Sequence, residues 1–179
     1  MKRRTYIAHG RLASREIRLD AARGQRHGVQ VMSFEQMAAR LAGGFMQPID
    51  AEALRDAIQQ ALPDTMLGEL DAIKILPGMV GAAADTLQKV WRTGLDLSGR
   101  SALHPRLAAM ATLEKAVLAG LPASMLRPAD LACKALARIS HAPVLFGEIE
   151  ILGISELAPC WRDLLLSLAE TLPVRWNAG

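Results

Sequence analysis

Hydrophobic and polar positions alternate with a period near two at both ends of this chain and recur every three to four residues between them. The opening "TYIAHG" is β-branched and aromatic ahead of a glycine, and "RLASREIRLDAARG" then sets Leu12, Ile17 and Leu19 near one helical face before Gly24. That order predicts a strand over residues 5–10, a turn and a helix. In "GVQVMSFEQMAARLAGG", Val29 and Val31 alternate with polar residues, and Ser33 precedes Gln36 at capping-box spacing. A second strand, over 29–33, therefore passes straight into a second helix. Two such units in succession need crossovers between parallel neighbours, so the expectation is an α/β fold with a parallel sheet and flanking helices.

The middle of the chain has little β character. "DAEALRDAIQQAL" offers Asp50 as an N-cap and helical spacing at Leu54, Ile58 and Leu62. "GMVGAAADTLQKVWRTGL" continues with Met79, Val80, Leu87, Val90 and Trp91, and "HPRLAAMATLEKAVLAGLP" and "RPADLACKALARISHAP" follow, each stopped by Gly or Pro. The strand pattern returns at 147–153 in "VLFGEIEILGI" and at 173–176 in "VRW". Between them "SELAPCWRDLLLSLAETLP" is a helix with Trp161, Leu164, Leu165 and Leu168 inward. Residues 1–46 and 141–179 thus form one sheet domain, interrupted by a mostly helical insertion over 47–140. The chain stops just after the last strand without a polar tail, as a fragment of a longer protein would.

Half of the 179 residues are apolar, as in an ordinary folded domain. No apolar run reaches the roughly 18 residues of a membrane span, and the basic start lacks the apolar stretch of a secretory signal, so the expectation is a cytoplasmic protein away from membranes. Cys133 and Cys160 are far apart with no histidine at ligand spacing, and read as buried thiols. The net charge of +3 is unevenly placed: residues 1–30 hold Lys2, Arg3, Arg4, Arg11, Arg15, Arg18, Arg23 and Arg26 against Glu16 and Asp20. Those thirty carry +6 and the rest −3. Such a front can neutralise a nucleic-acid backbone, or can be a solvated helix face. One Tyr, three Phe and three Trp are too few for a base-stacking platform.

Catalytic motifs are missing. A phosphate loop of the form G-x-x-x-x-G-K-[ST], begun at Gly10, would put Arg15 at its second glycine, Glu16 at its lysine and Ile17 at its hydroxyl. A carboxylate in place of the ammonium repels a triphosphate. His9, His27, His104 and His141 sit on separate loops without metal spacing, and there is no G-x-S-x-G elbow. Neither a metal nor an organic cofactor is implied.

"GVQVMSFEQMAARLAGG" resembles the strand-to-helix segment of superfamily 1 helicases of the UvrD/RecB type, where Thr or Ser followed by Phe opens a helix beside the single-stranded DNA track. "LGELDAIKILPGMVGAAADTLQKVWRTGLDL" is similar to the helical insertion of the AddB-like, PD-(D/E)XK nuclease-associated branch. "EIEILGISELAPCWRDLLLSLAETLPVRW" resembles that branch's second ATPase motif, a strand ending in Asp-Gly-Phe. Here Leu152, Gly153 and Ile154 stand at those three positions. Residues 10–17 align with a ruined phosphate loop or, preferably, the whole stretch "TYIAHGRLASREIRLDAA" aligns with the later strand-Pro-loop-helix motif that precedes the Ser-Phe segment.

The resemblance implies a P-loop NTPase-like, helicase-type domain with degenerate ATPase motifs, at the front of a double-strand-break repair subunit whose exonuclease would lie beyond residue 179. Its implied partners are DNA, as a single strand or duplex end, and a second helicase–nuclease subunit. Arg11, Arg15 and Ser33 are the expected backbone contacts, because helix N-termini favour phosphate. Ser33 serves equally well as a plain N-cap, and Arg15 as a partner for acidic neighbours. The alternatives are a protein-interaction module without a DNA role, docking through the neutral "GMVGAAADTL" region, and an ATPase with a divergent phosphate loop.

Overall fold

A computed structural model describes residues 3–178; Lys2, counted in the basic front, lies outside them. In chain order the elements are β1 (Arg4–Ala8), α1 (Arg11–Arg23), β2 (Val29–Met32), α2 (Phe34–Leu41), β3 (Gln47–Pro48), α3 (Ala51–Ala61), α4 (Met79–Thr93), α5 (Leu97–Arg100) and α6 (Pro105–Gly120). Then come β4 (Met125–Leu126), α7 (Pro128–Leu136), α8 (Ala142–Phe146), β5 (Glu148–Leu152), α9 (Arg162–Thr171) and β6 (Val174–Asn177). They form two compact units, one from the chain up to Pro48 and from Pro128 onward, the other from Ile49–Arg127.

The first unit holds the expected sheet, with order β2-β1-β5-β6 and every neighbour parallel. Register pairs Tyr6 with Val31 and with Glu150, and Ala8 with Leu152. The chain steps from β1 outward to β2, then back past β1 to β5 and on to β6. Right-handed crossovers therefore put α1 on one face and α2 and α9 on the other. On the α2 and α9 face Thr5, Ile7, Ile149 and Ile151 are fully buried, and Thr5 donates its Oγ1 hydrogen to the Phe146 carbonyl at 2.9 Å. The α1 face carries Arg4, Tyr6 and Ala8, followed across the sheet by the half-buried Glu148, Glu150 and Leu152. This one-sided burial is why "EIEIL" alternates so cleanly.

The helical unit buries Leu54, Ile58 and Leu62 of α3 and its exit, Leu87 and Trp91 of α4, Leu97 of α5, and Leu113 and Val117 of α6 in one core. Asp50 caps α3 as its position suggested, its Oδ1 accepting from the Glu52 and Ala53 amides. His104 caps α6 in the same way through Nδ1, which accepts from Arg106 N–H at 3.1 Å. This unit ends at Arg127 and not at 140. The next helix, α7, buries Leu131, Ala132 and Ala135 and packs against α2 and α9 of the sheet unit. Two-residue strands at Gln47–Pro48 and Met125–Leu126, unforeseen in the sequence, mark the chain's two passages between units.

Local departures have physical causes. Leu12 and Leu19 are exposed, and Ala21 is the buried residue of α1, because positions 12 and 19 share a face that position 17 opposes at 100° per residue. Gly24 does not end α1 with a left-handed residue. Gln25 does so, at φ +49, while Gln25 N–H bonds Ala22 O and Arg26 N–H bonds Ala21 O, a complete Schellman turn. The helix after β5 starts only at Arg162, behind a 3₁₀ turn at Pro159–Trp161, and buries Trp161, Leu164 and Leu168 while Leu165 is half-buried. Cys133 is exposed and Cys160 half-buried, against the expectation of buried thiols, since α7 turns its Leu131–Ala132–Ala135 side inward. Among the described residues no helix is long and apolar enough to cross a membrane.

A candidate phosphate-binding cleft

Ligands of open parallel sheets bind outside the carboxyl ends of the strands. At that edge β1 ends at Ala8, and only His9 and Gly10 separate it from α1. Gly10 has φ +88 and ψ 157, a conformation reserved for glycine, and a Cβ there would meet nothing within 4 Å. The glycine is thus required by backbone geometry, beside open space. The two-residue corner leaves no room for a wrapping phosphate loop: residues 11–17, which such a loop would occupy, are already α-helical.

A cleft of about 620 Å³ opens beside this corner, with Ala8 and Gly10 in its floor. Arg11, Arg15 and Arg18 recur along α1 at i, i+4 and i+7, so all three stand on one side of the helix and line the cleft. Arg18 is anchored by an Nη2 bond to the Val31 carbonyl at 3.0 Å, which ties α1 to β2. Ser14 closes the first turn, its Oγ donating to Gly10 O at 2.9 Å. Across the cleft Ser33 and Gln36 form the capping box: Ser33 Oγ accepts from Gln36 N–H at 3.2 Å, and Gln36 Oε1 accepts from Ser33 N–H at 3.0 Å. The Ser33 hydroxyl hydrogen and the Gln36 side-chain NH₂ are not consumed by this pair. The helix N-termini of α1 and α2 meet here, the former with no side-chain cap and no acid in its first turn.

Among the described residues no carboxylate lines the cleft, which is edged by three guanidiniums and two helix N-termini, with Glu35 in the first turn of α2. A multivalent anion fits that chemistry. Arg11, Arg15 and Ser33, the residues singled out from sequence, line this one cleft together; Ser33 is both N-cap and cleft wall. Sequence reading missed Arg18, Ser14 and Gln36 as cleft residues, although the i+7 spacing of Arg18 was the available signal. On the other flank of β1, the tip of β5 presents Leu152 and Gly153 beside Ala8.

The basic front is split by the fold. Arg3, Arg4, Arg26 and His27 lie at the opposite, amino end of the strands, where Arg4 pairs with Glu148 at 3.2 Å. Hydrogen bonding to Tyr6 and then to Glu148 holds the Arg4 guanidinium above its ordinary pKa. Among the described residues no group of His, Cys, Asp and Glu is arranged to hold a metal ion. No protein-family profile matches this chain, and no curated protein matches it.

Proposed function

We propose that this chain is a helicase-type α/β domain that grips a DNA strand without hydrolysing ATP, the front part of an AddB-like subunit of a cytoplasmic double-strand-break repair complex. One observation carries the DNA reading: Arg11, Arg15 and Arg18 converge with Ser33 and two helix N-termini on a single cleft free of carboxylates. Phosphate contacts from such groups fix a strand without reading its sequence. The non-catalytic reading rests on Glu16 where a phosphate loop needs Lys, on Leu152 where the second ATPase motif needs Asp, and on the helix that fills residues 11–17. The domain then serves as a strand holder and scaffold for a partner subunit, with nuclease chemistry supplied by a PD-(D/E)XK exonuclease region elsewhere in the full-length protein.

Fluorescence anisotropy with a labelled single-stranded oligonucleotide at several salt concentrations tests this. Each engaged phosphate contributes about −0.7 to the slope of log K against log salt, so Arg11→Ala with Arg15→Ala should flatten it by about 1.4. Absence of binding at low salt would sink the DNA reading. It would favour a protein-interaction module, for which the exposed Met66, Ile73, Ile75 and Leu76 of the helical unit speak. Titration calorimetry with ATP and Mg²⁺ should show no micromolar binding.

A further inference from the structure

The two basic clusters sit at the two ends of one helix. The amino-end cluster surrounds a cleft of about 210 Å³ in which Arg3, Arg26 and His27 stand beside Tyr6 and the Arg4–Glu148 ion pair, whose single carboxylate is matched by Arg4. Side chains alternate along a strand, so Arg4, Tyr6 and Ala8 share the α1 face of β1: one cleft opens beside Ala8, the other beside Arg4 and Tyr6. The Schellman turn fixes Arg26 at the far end of α1, and Arg4 N–H, bonded to Gly28 O at 3.1 Å, ties β1 to the residue after His27. Between the clusters, the side of α1 that carries Arg11, Arg15 and Arg18 continues through the small Ala22, while Glu16 and Asp20 point elsewhere at 100° per residue. No carboxylate interrupts that side of the helix.

We infer that the bound single strand runs the length of α1, from the Arg11–Arg15–Arg18 cleft to a second phosphate contact at Arg26 and Arg3. This rests on the strand-binding reading and adds a length requirement to it. The thirteen residues of α1 span about 20 Å at ~1.5 Å per residue. At the ~3.4 Å rise of a stacked strand, that is about six nucleotides. A mononucleotide or a lone phosphate would engage one cluster only.

Anisotropy competition with unlabelled oligothymidylates of increasing length reads this directly on the full chain. Affinity should climb up to about six nucleotides and then level. Arg26→Ala should leave dinucleotide binding unchanged, weaken the longer oligomers and remove about 0.7 from their salt slope, and Arg26→Lys should restore most of it. Arg26 is exposed, and circular dichroism of its variants is the check that they fold. Affinity already at its plateau for a dinucleotide, or an Arg26→Ala protein equal to wild type at every length, overturns the inference and leaves the strand-binding reading standing. Failure of every oligonucleotide to bind overturns both.

Discussion

The indole Nε1 of Trp91 donates a 2.6 Å hydrogen bond to Oε1 of Glu114, joining α4 to α6 inside the helical unit. Glu114 is only 4% exposed, and the same oxygen accepts from Arg127 Nη1 at 3.0 Å. A carboxylate so deeply buried is tolerated because both donors reach it, and no buried side-chain polar atom among the described residues lacks a partner. Trp91→Phe keeps most of the packing and deletes one donor, so it should destabilise the helical unit by about 1–3 kcal/mol. Urea unfolding followed by circular dichroism measures this. Glu114→Gln should cost less, because the amide oxygen still accepts from the indole. The reverse ranking would show that the Glu114 charge and its ion pair with Arg127, and not the indole hydrogen bond, set the cost.

Ser33 separates capping from binding. Asp is as good an N-cap as Ser, so Ser33→Asp should leave stability within about 0.5 kcal/mol of wild type. It places a carboxylate among Arg11, Arg15 and Arg18, and oligonucleotide affinity should fall severalfold at low salt. Ser33→Ala should do the opposite, losing about 1 kcal/mol of stability with a smaller loss of binding. Thermal melts and anisotropy on the two variants decide whether the residue acts as a cap alone.

Gln25 occupies the left-handed position of the turn that ends α1, where glycine carries no side-chain penalty. Gln25→Gly should therefore stabilise the sheet unit by about 0.5–1 kcal/mol, the relief of left-handed strain exceeding the added freedom of the unfolded chain. A rise of a few degrees in Tm is the expected reading.

The Asp71 carboxyl lies below its ordinary pKa of 3.8, chiefly because it accepts the Leu67 backbone N–H at 3.0 Å and secondarily because Lys74 lies 3.3 Å away. A depressed carboxyl contributes stability that is full above its unfolded value and is lost as pH falls through its folded value. The turn over Gly68–Ile73 should therefore hold at neutral pH and loosen only below about pH 4. Asp71→Asn should remove that acid dependence, seen as faster amide exchange at Leu67 at neutral pH and a flatter exchange profile on acidification.

Much of the architecture was written in local patterns. Val29 and Val31 alternating ahead of Ser33 and Gln36 specified strand, cap and helix from short-range chemistry, and the capping box formed. "EIEIL" announced a strand, and the spacing of Leu54, Ile58 and Leu62 announced the inner face of α3. What short-range chemistry could not resolve was competition between neighbours. Leu12 and Leu19 are apolar yet exposed, because the sheet needed the narrow Ala21 edge of α1. Likewise Cys133 faces outward because Leu131 and Ala135 satisfy the contacts with α2 and α9.

The sequence by itself determined the four main strands, the principal helices and the parallel arrangement of the sheet, because periodicity, caps and crossover handedness act within a few residues or follow from chain order. It also placed the arginines, with Arg11, Arg15 and Arg18 recurring at helical spacing. Only the tertiary structure decided that Ser33 and Gln36 face them across one cleft, that α7 belongs with the sheet unit, and that the basic front is divided between two ends of α1. Those outcomes depend on register between β1 and β2 and on which surfaces compete for burial. Such long-range terms leave no trace in any single stretch of residues.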